Sequence, residues 1–452
     1  MIDPVLSPIV KAYDVRGLAP EQLSESVARA LGSAFADEVG ISDGRGAAVI
    51  AHDMRSSSPG LAQAVGDGIR SRGGDVVDIG LASTDELYAA SGRLDLAGVM
   101  VTASHNPAEY NGLKLCRAGA RPIGFDTGLR AIAELASERM DGEPAELLGA
   151  RTERDFLTEY VALLHRLVPV GDRPLAVVAD AGNGMAGHTV PAVFAGLPAI
   201  QLSPLYFELD GSFPNHDANP LDPSTLVDLQ AAVREQGADL GLAFDGDADR
   251  CFVIDECGEP VSPSAITALI AARHLVDHPG ATILHNVICS RAVPEIVRES
   301  GGTPVRTPVG HSLIKAEMAR TGAVFGGEHS GHFYFRDFYL ADSGMVAALH
   351  VLAALAETDQ PLSALMASYE RYTASGEINS TVADQEAVLA MLRERYDGYA
   401  LDELDGLTVT ADTWWFNVRA SNTEPLLRLN VEADDAPTME RVRDEVLGLI
   451  RS

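Results

Sequence analysis

The sequence predicts an α/β protein of three similar mixed segments followed by a smaller α+β domain. In each of three successive segments, short apolar runs of strand length alternate with longer stretches of helical periodicity. This alternation is typical of a sheet covered by helices. In each segment the third apolar run also enters a polar loop. The last segment differs, because its apolar runs follow one another directly between two helical stretches.

The first segment, residues 1–150, opens with a loop and continues as alternating strands and helices. The loop, KAYDVRG at 11–17, places Tyr13, Asp14 and Arg16 before a long helical pattern. The predicted elements are strands at 47–52, 75–80 and 98–102, with helices at 20–39 and 61–72.

The next two segments, residues 151–256 and 257–367, repeat this plan with little sequence identity. We therefore interpret them as a structural repeat and not as a short-period array. Their predicted strands lie at 175–180, 199–203, 239–245, 281–285, 303–306 and 323–326. The fourth segment, residues 368–452, has predicted strands at 407–410, 414–420 and 426–432 and predicted helices at 385–396 and 437–450.

The composition is that of an ordinary globular protein, and its charge restricts the partners. The 452 residues are 46% hydrophobic and 22% charged, with a formal net charge of −31. Such an acidic chain disfavours binding to nucleic acid or to an anionic membrane surface. Any anionic ligand must therefore be held by local cations.

The cysteines and the N-terminal sequence predict a cytoplasmic protein. The cysteines show no CxxC spacing, so reduced thiols are expected and a zinc site is not; they are Cys116, Cys251, Cys257 and Cys289. The first residues have no basic stretch followed by an apolar run, and 18 consecutive uncharged apolar residues occur nowhere.

The stretch GVMVTASHNPAEYNGLK at 98–114 carries the first candidate site. Ser104 follows an apolar strand, and Pro107 ends regular hydrogen bonding directly after it. His105 and Lys114 stand within reach of the same loop. A hydroxyl beside a cation and an imidazole suits a nucleophile that accepts and returns a phosphoryl group. Taken alone, the pattern also fits an ordinary polar turn.

The loop FDGDADR at 244–250 places carboxylates at Asp245, Asp247 and Asp249 after a predicted strand. Acids at this spacing repel one another unless a cation lies between them, and hard oxygen ligands suit Mg²⁺. An EF-hand is excluded, because Arg250 stands at loop position 6, where glycine is needed. A solvated acidic turn is the alternative interpretation.

Two further loops combine donors and acceptors suited to a phosphosugar. GGEHSGH at 326–332 offers a carboxylate, a hydroxyl and imidazoles for sugar hydroxyls, and His311 lies in VGHSLIK just upstream. RASNTEP at 419–425, with Arg428 beyond it, resembles an anion cradle, since arginine forks bind phosphate bidentately. Glycine-rich or polar turns with ordinary surface charges fit the same patterns.

Taken together, these motifs resemble the α-D-phosphohexomutase family, most closely the bacterial phosphomannomutase/phosphoglucomutase group. The motifs occur in the family's order over nearly the whole chain: YDVRG at 13–17, TASHNP at 102–107, DGDADR at 245–250, GEHSGH at 327–332 and RASNTEP at 419–425. The resemblance implies three similar α/β domains and a smaller fourth domain around a central cleft. It also implies hexose phosphates as substrates and Mg²⁺ as cofactor.

The resemblance assigns a role to each motif residue. Ser104 corresponds to the phosphoserine, and Asp245, Asp247 and Asp249, with Ser104, to the Mg²⁺ ligands. Groups around the transferring phosphate are Arg16, His105, Lys114 and His311, and which of Arg16, Lys114 and His311 is the general acid or base stays open. Substrate contacts are Tyr13, Arg250, Glu328, Ser330, His332, Arg419, Ser421, Asn422, Thr423 and Arg428.

The implied mechanism is reversible phosphoryl transfer through a hexose 1,6-bisphosphate. Mannose, glucose or both are the expected sugars. Phosphoglucosamine mutase is an alternative. His329 does not decide the sugar, because it stands where many dual-specificity relatives have Met and where phosphoglucosamine mutases often have Gln. A metal-dependent sugar-phosphate phosphatase could use the same serine and acidic loop. A non-catalytic phosphosugar binder is disfavoured, because a binder has no need of a serine next to a metal-binding loop.

Overall fold

The structure, a computed structural model, describes residues 2–140, 146, 148–420 and 426–452, and at residues 311 and 312 the backbone only. The chain divides into two compact units. The first contains Met1–Val261 and Ser330–Ser363, and the second contains Ser262–His329 and Ala364–Ser452. Within the described residues, no helix combines the length and the apolar character needed to cross a membrane.

The N-terminal segment forms a mixed sheet with helices packed on it. Its strands are β1 (Val15–Leu18), β2 (Ala47–His52), β3 (Asp75–Leu81), β4 (Ala97–Val101), β5 (Tyr110–Arg117), β6 (Arg121–Pro122) and β7 (Arg151–Glu153), and its helices are α1 (Glu25–Glu38), α2 (Ser58–Ser71), α3 (Thr84–Leu94) and α4 (Leu129–Ser137). The strand order is β1-β5-β4-β2-β3-β7, and β6 pairs with β5. Strands β2, β3, β4 and β7 run parallel, whereas β5 pairs antiparallel with both β4 and β1.

Two sequence predictions in this segment are wrong in detail. Arg16 lies in strand β1 and not in a loop, because β1 pairs with the distant strand β5, where Arg16 faces Gly112. Local sequence patterns do not report such distant pairing. Helix α1 begins at Glu25 and not at residue 20, since the Ser24 side chain accepts a hydrogen bond from the Val27 N–H and so caps the helix there.

The second segment has the predicted strands and carries the acidic loop in a hairpin. Its elements are α5 (Leu157–Leu167), β8 (Leu175–Asp180), α6 (Ala186–Phe194), β9 (Ile200–Leu205), α7 (Val227–Gln236), β10 (Leu240–Phe244), β11 (Cys251–Asp255) and β12 (Pro260–Val261). Strand β10 runs parallel to β8 and antiparallel to β11. Residues 245–250 therefore form the turn between β10 and β11.

The third segment contributes to both units. In the second unit it supplies α8 (Pro263–Asp277), β13 (Thr282–Asn286), α9 (Ala292–Glu299), β14 (Thr303–Thr307), α10 (His311–Thr321) and β15 (Phe325–Gly327). Here β13 runs parallel to β14 and to β15. In the first unit it supplies β16 (Phe333–Phe335), β17 (Ala341–Asp342) and α11 (Gly344–Ala356), and α12 (Leu362–Met366) follows.

The last segment, in the second unit, is an antiparallel sheet with two helices. Its elements are β18 (Thr373–Thr381), α13 (Gln385–Arg395), β19 (Ala400–Asp402), β20 (Leu407–Thr410), β21 (Trp414–Ala420), β22 (Leu426–Ala433) and α14 (Ala436–Ile450). The strand order is β18-β22-β21-β20-β19. A hydrophobic core that includes Phe416, Leu429 and Val446 joins the sheet to α14. The predicted strands of this segment are confirmed.

Candidate active site

The Ser104 loop begins where strand β4 ends, and it holds its serine in an unusual conformation. Ser104 has a φ of 52°, a left-handed conformation that is uncommon for residues other than glycine. Its N–H donates to Thr102 Oγ1 at 2.9 Å, and its hydroxyl donates to Asp245 Oδ2 at 2.8 Å. The hydroxyl therefore points at the acidic loop.

Arg55 binds the backbone of the Ser104 loop. Its side chain is 1% exposed and is paired with Asp53. Its guanidinium donates hydrogen bonds to backbone carbonyl oxygens along the loop, namely those of Ser104, Asn106, Pro107 and Tyr110, at 2.6 to 2.9 Å. Because one rigid fork satisfies these carbonyl groups together, Arg55 fixes the shape of the loop that presents Ser104.

The acidic loop packs directly on the Ser104 loop. Asp245, Asp247 and Asp249 are almost completely buried, and each offers one oxygen to a group whose atoms lie within 4.8 Å of one another. Gly246 separates the first two, and a Cβ at this position would lie 2.4 Å from the Ser104 carbonyl oxygen. Only glycine therefore allows this close approach of the two loops.

The free oxygens of this acidic group fit a divalent cation. Oδ1 of Asp247 and Oδ1 of Asp249 are buried and have no hydrogen-bond partner within the described residues. A buried carboxylate oxygen without a partner is costly, and a bound cation would satisfy both oxygens. The donors are hard oxygens, which Mg²⁺ prefers. The residues present therefore fit the predicted metal site.

Lys114 supplies positive charge to the same carboxylates. Its Nζ donates to Asp247 Oδ2 and to Asp249 Oδ2, each at 2.6 Å. Burial by itself lowers the pKa of Lys114, but the two carboxylates more than offset this and raise it above its ordinary value. Burial raises the pKa of Asp245, with Arg250 opposing and the neighbouring Asp247 adding to the rise. Lys114 thus neutralises part of the charge on Asp247 and Asp249, whereas the pKa of Asp245 is raised.

Further cations and an imidazole surround Ser104. Arg16 donates from Nη1 to Asn106 Oδ1 at 2.5 Å and to the Ala103 carbonyl oxygen at 3.2 Å. Arg250 Nε donates to Asp245 Oδ2 at 2.9 Å. His105 Nδ1 lies 3.2 Å from Ser104 Oγ. Burial lowers the pKa of His105 well below its ordinary value, and the positive charge of Arg250 lowers it further, so the ring is neutral near pH 7.

His332 also lies beside the acidic loop, in the same unit. Its Nδ1 is 2.9 Å from Asp342 Oδ2 and 3.8 Å from Asp249 Oδ1. Its backbone forms an antiparallel bridge with Arg250. Burial lowers the pKa of His332, but Asp249 and Asp342 outweigh this effect and raise it. The structure therefore brings His332 together with the residues around Ser104.

In the second unit, Glu328 follows strand β15 and is 1% exposed. Its Oε1 accepts hydrogen bonds from Asn286 Nδ2 at 3.2 Å and from the Gly310 N–H at 3.1 Å. The next residue, His329, is 3.1 Å through Nδ1 from Ser264 Oγ. The Glu328 carboxylate, which is predicted to bind sugar hydroxyls, is thus held by Asn286 and Gly310 of the same unit.

Arg419 and Arg428 face each other across strands β21 and β22. Glu377 accepts a hydrogen bond from each of them, at 2.9 Å in both cases. Glu377 uses one nitrogen of each guanidinium, so further donors of both forks can serve an anion. The paired arginines thus form a pre-aligned cationic site.

For Tyr13 and Ser330 the structure gives the position and the exposure, and other predicted residues lie outside the described part of the chain. Tyr13 is partly exposed and precedes β1, and Ser330 is partly exposed and lies close to Glu328 in sequence. The side chain of His311 lies outside the described part of the chain, as do Ser421, Asn422 and Thr423. Their roles stay predictions.

Comparison with models of protein families shows which family this chain belongs to. The chain matches the phosphoglucomutase/phosphomannomutase models for alpha/beta/alpha domain I over residues 7–141, domain II over 156–258, domain III over 263–372 and the C-terminal domain over 377–449. The chain belongs to the phosphoglucomutase/phosphomannomutase family. The predicted fold class, three similar α/β domains with a smaller C-terminal domain, is confirmed.

Individual members of this family match over the whole chain. The phosphohexose mutases of Xanthomonas campestris pv. campestris are 41% identical over 98% of this chain and 99% of their own length. The phosphomannomutase of Salmonella montevideo is 40% identical over 98% of both chains. The crystal structure of a phosphoglucomutase/phosphomannomutase family protein from Burkholderia thailandensis is 34% identical, with a TM-score of 0.89 over 100% of this chain and 98% of that chain. The predicted hexose phosphate mutase activity, an isomerase reaction, is confirmed.

Sequence reasoning missed the residues that hold the candidate site in place. Arg55 follows β2, which pairs with β4, the strand before Ser104. Asp342 lies in β17, which pairs with β16, the strand directly after His332. A charged loop after β2 was a usable signal, because β2 lies beside β4 in a parallel sheet and their carboxyl ends meet at one edge. Glu377 gave no such signal, since its strand reaches Arg419 only through tertiary pairing.

Because Gly246 lies so close to Ser104, we predict that position 246 tolerates no side chain. In Gly246→Ala, the added methyl group must push the acidic loop away from the Ser104 carbonyl oxygen. We expect kcat for hexose phosphate isomerisation to fall roughly 10²-fold, because small misplacements of reacting groups cost about this much. Gly448→Ala is the matched control, since a Cβ there meets nothing within 4 Å. Wild-type kcat in Gly246→Ala would contradict the packing argument.

Proposed function

We propose that the chain works as a phosphoserine mutase that passes through a hexose 1,6-bisphosphate. In the active form Ser104 carries a phosphoryl group and transfers it to the free hydroxyl of a hexose 1-phosphate or 6-phosphate. The bisphosphate then turns around, and its other phosphoryl group returns to Ser104. The observation that carries the proposal is the Ser104 hydroxyl, 2.8 Å from Asp245 Oδ2 and beside the free oxygens of the acidic group.

The surrounding cations suit this transfer. Arg16 and Lys114 bring positive charge to the loop and to the carboxylates that flank it. The neutral His105 ring lies within hydrogen-bonding distance of the Ser104 hydroxyl and can exchange a proton with it. Arg250 and His332 are proposed to line the same site, together with Tyr13, which is close to Arg16 in sequence. His311 is the further candidate for acid or base work.

Asp245, Asp247 and Asp249, together with Ser104, are proposed to hold a divalent cation, with Mg²⁺ as the ion that these oxygen donors favour. A cation bound there would offset the charge of the phosphoryl group during its transfer. Asp245 itself orients the serine, because its Oδ2 accepts the hydrogen bond of the Ser104 hydroxyl.

Two sets of residues are proposed to bind the parts of the substrate that do not react. Glu328, Ser330 and His332 would contact sugar hydroxyls, and carboxylate oxygens suit this task because each accepts more than one hydrogen bond. The non-reacting phosphate would be bound by Arg419, Ser421, Asn422, Thr423 and Arg428. Such a site binds both isomers alike, because it does not distinguish which carbon bears the phosphate.

Removing one arginine of this pair tests the common phosphate site. In Arg419→Ala we expect KM to rise roughly 10- to 100-fold for both 1-phosphates and 6-phosphates, since a charge-assisted hydrogen bond contributes about 1.5–3 kcal/mol. We expect kcat to fall less, because binding shared by ground and transition states is lost. Arg443→Ala, which removes an arginine paired with its neighbour Asp444, is the control. A defect confined to 1-phosphates would show that Arg419 does not serve a common site.

Mannose, glucose or both are the proposed sugars. Parallel assays with mannose, glucose and glucosamine 1-phosphates test this choice, with free phosphate measured in the same samples. We expect 6-phosphates of mannose or glucose and little free phosphate. A preference for glucosamine 1-phosphate would support a phosphoglucosamine mutase, and stoichiometric free phosphate would indicate a phosphatase. A cytoplasmic location remains our proposal, and it agrees with the absence of a disulfide bond among the described cysteines.

A further inference from the structure

Thr84 reaches the acidic loop through both its backbone and its side chain. It is the first residue of helix α3, it is completely buried, and it lies 163 positions away from Asp247 in sequence. Its N–H donates to the Asp247 carbonyl oxygen at 3.0 Å, and its hydroxyl donates to Asp247 Oδ2 at 2.5 Å. The sequence motifs gave no role to this threonine.

The two side-chain oxygens of Asp247 have different surroundings. Oδ2 accepts hydrogen bonds from Thr84 Oγ1 and from Lys114 Nζ. Oδ1 is buried and has no hydrogen-bond partner among the residues that the structure describes. The carboxylate is therefore held by one oxygen, and the other oxygen is left for a ligand that the protein itself does not supply.

The helix that carries Thr84 is anchored at this end. Ser83 caps α3 by accepting a hydrogen bond from the Glu86 N–H at 3.2 Å. Asp85 accepts hydrogen bonds from Tyr160 Oη at 2.7 Å and from Ser343 Oγ at 2.6 Å. Because its first turn is tied to neighbouring elements, α3 presents the Thr84 hydroxyl from a fixed position.

We propose that Thr84 is a positioning residue that fixes the rotation of the Asp247 carboxylate, so that Oδ1 faces a divalent cation. A free carboxylate turns about its terminal bond and loses that freedom when it binds a metal. Because Thr84 already fixes the Asp247 carboxylate, binding of the metal costs less rotational freedom. Groups that orient metal ligands in this way change metal affinity about 10- to 100-fold. The inference rests on the proposed cation-binding role of Asp247.

A pair of variants separates this role from simple burial of a hydroxyl. Thr84→Val keeps the shape and the backbone hydrogen bond but removes the donor, and Thr84→Ser keeps the donor. The readout is the dissociation constant of Mn²⁺, measured by electron paramagnetic resonance on the full chain without substrate. We expect Thr84→Val to bind Mn²⁺ at least about 10-fold more weakly than the wild type. We expect Thr84→Ser to bind within about 3-fold of the wild type, and both variants to show the wild-type number of sites.

Thr189→Val is the matched control, because Thr189 is also completely buried and its hydroxyl donates to a backbone carbonyl oxygen at the start of helix α6, that of Met185. We expect wild-type Mn²⁺ affinity in this variant. Thermal unfolding of each variant shows whether the fold is retained. Wild-type affinity in Thr84→Val, or equal weakening in Thr84→Val and Thr84→Ser, would overturn the proposal.

The experiment distinguishes this inference from the proposed function. If the wild type binds Mn²⁺ and Thr84→Val weakens it, the positioning role stands even where no phosphoserine relay is found. If the wild type binds no Mn²⁺ at millimolar concentration, the role of Thr84 and the cation site are both overturned, whereas the relay through Ser104 is tested separately by phosphoryl transfer.

Discussion

Ser104→Ala is expected to lower kcat on hexose 1-phosphates by on the order of 10⁴-fold or more, because the variant has no hydroxyl to carry the phosphoryl group. The loop itself should keep its shape. Arg55 binds backbone carbonyl groups of the loop, and these are unchanged by the substitution. Initial rates of 6-phosphate formation, measured with added hexose 1,6-bisphosphate, give the ratio to the wild type.

A control variant and a mass measurement test whether this effect is specific to Ser104. Ser33→Ala is the control, since Ser33 is a buried serine on α1 that accepts a hydrogen bond from Arg139 and lies outside the site. We expect near-wild-type kcat in that variant. Intact-mass analysis should find one phosphoryl group on the wild type and none on Ser104→Ala. Full mutase activity in Ser104→Ala would rule out the relay.

Removal of divalent cations is expected to have the second-largest effect. Three buried carboxylates next to Ser104 would repel one another and a phosphoryl group on that serine, and Lys114 by itself neutralises only part of that charge. Loss of a cation that stabilises the transition state costs several kcal/mol, or about 10²- to 10⁴-fold in rate. Activity after exhaustive chelation, followed by readdition of Mg²⁺, measures this effect.

A charge-removing variant locates the effect at the acidic loop. Asp247→Asn should need a higher Mg²⁺ concentration for half-maximal activity and should also have a lower kcat. Asp228→Asn removes a carboxylate that accepts a hydrogen bond from Tyr206 on the surface, so its Mg²⁺ dependence should match the wild type. Undiminished activity after chelation would refute the assignment of the acidic loop.

Most strands and the motif loops could be predicted from the sequence because their signals are local. The run GVMVT followed by a proline-containing turn placed Ser104 at the end of β4, and the structure has it there. The alternating acids likewise placed Asp245 directly after β10. Among the strands that the sequence analysis missed, β1 and β5 pair antiparallel with partners that local periodicity does not identify.

The supporting residues of the site were harder to predict for a similar reason. Arg55 and Glu377 act on groups far away in sequence, and a lone arginine or glutamate in a loop or strand looks like surface charge. Thr84 reads as part of a helix start, and its second hydrogen bond to Asp247 is evident only when the chain is folded. Motifs therefore predicted the proposed reacting groups, and tertiary structure identified what holds them.

The path of the phosphoryl group tests the account most directly. Enzyme phosphorylated with a labelled phosphoryl group on Ser104 is mixed with an excess of unlabelled mannose or glucose 1-phosphate for a single turnover. The account predicts that the label moves into the hexose 6-phosphate, that the bisphosphate carries it transiently, and that the enzyme keeps an unlabelled phosphoryl group. Label that stays on the enzyme while unlabelled 6-phosphate forms, or that leaves as free phosphate, would contradict it.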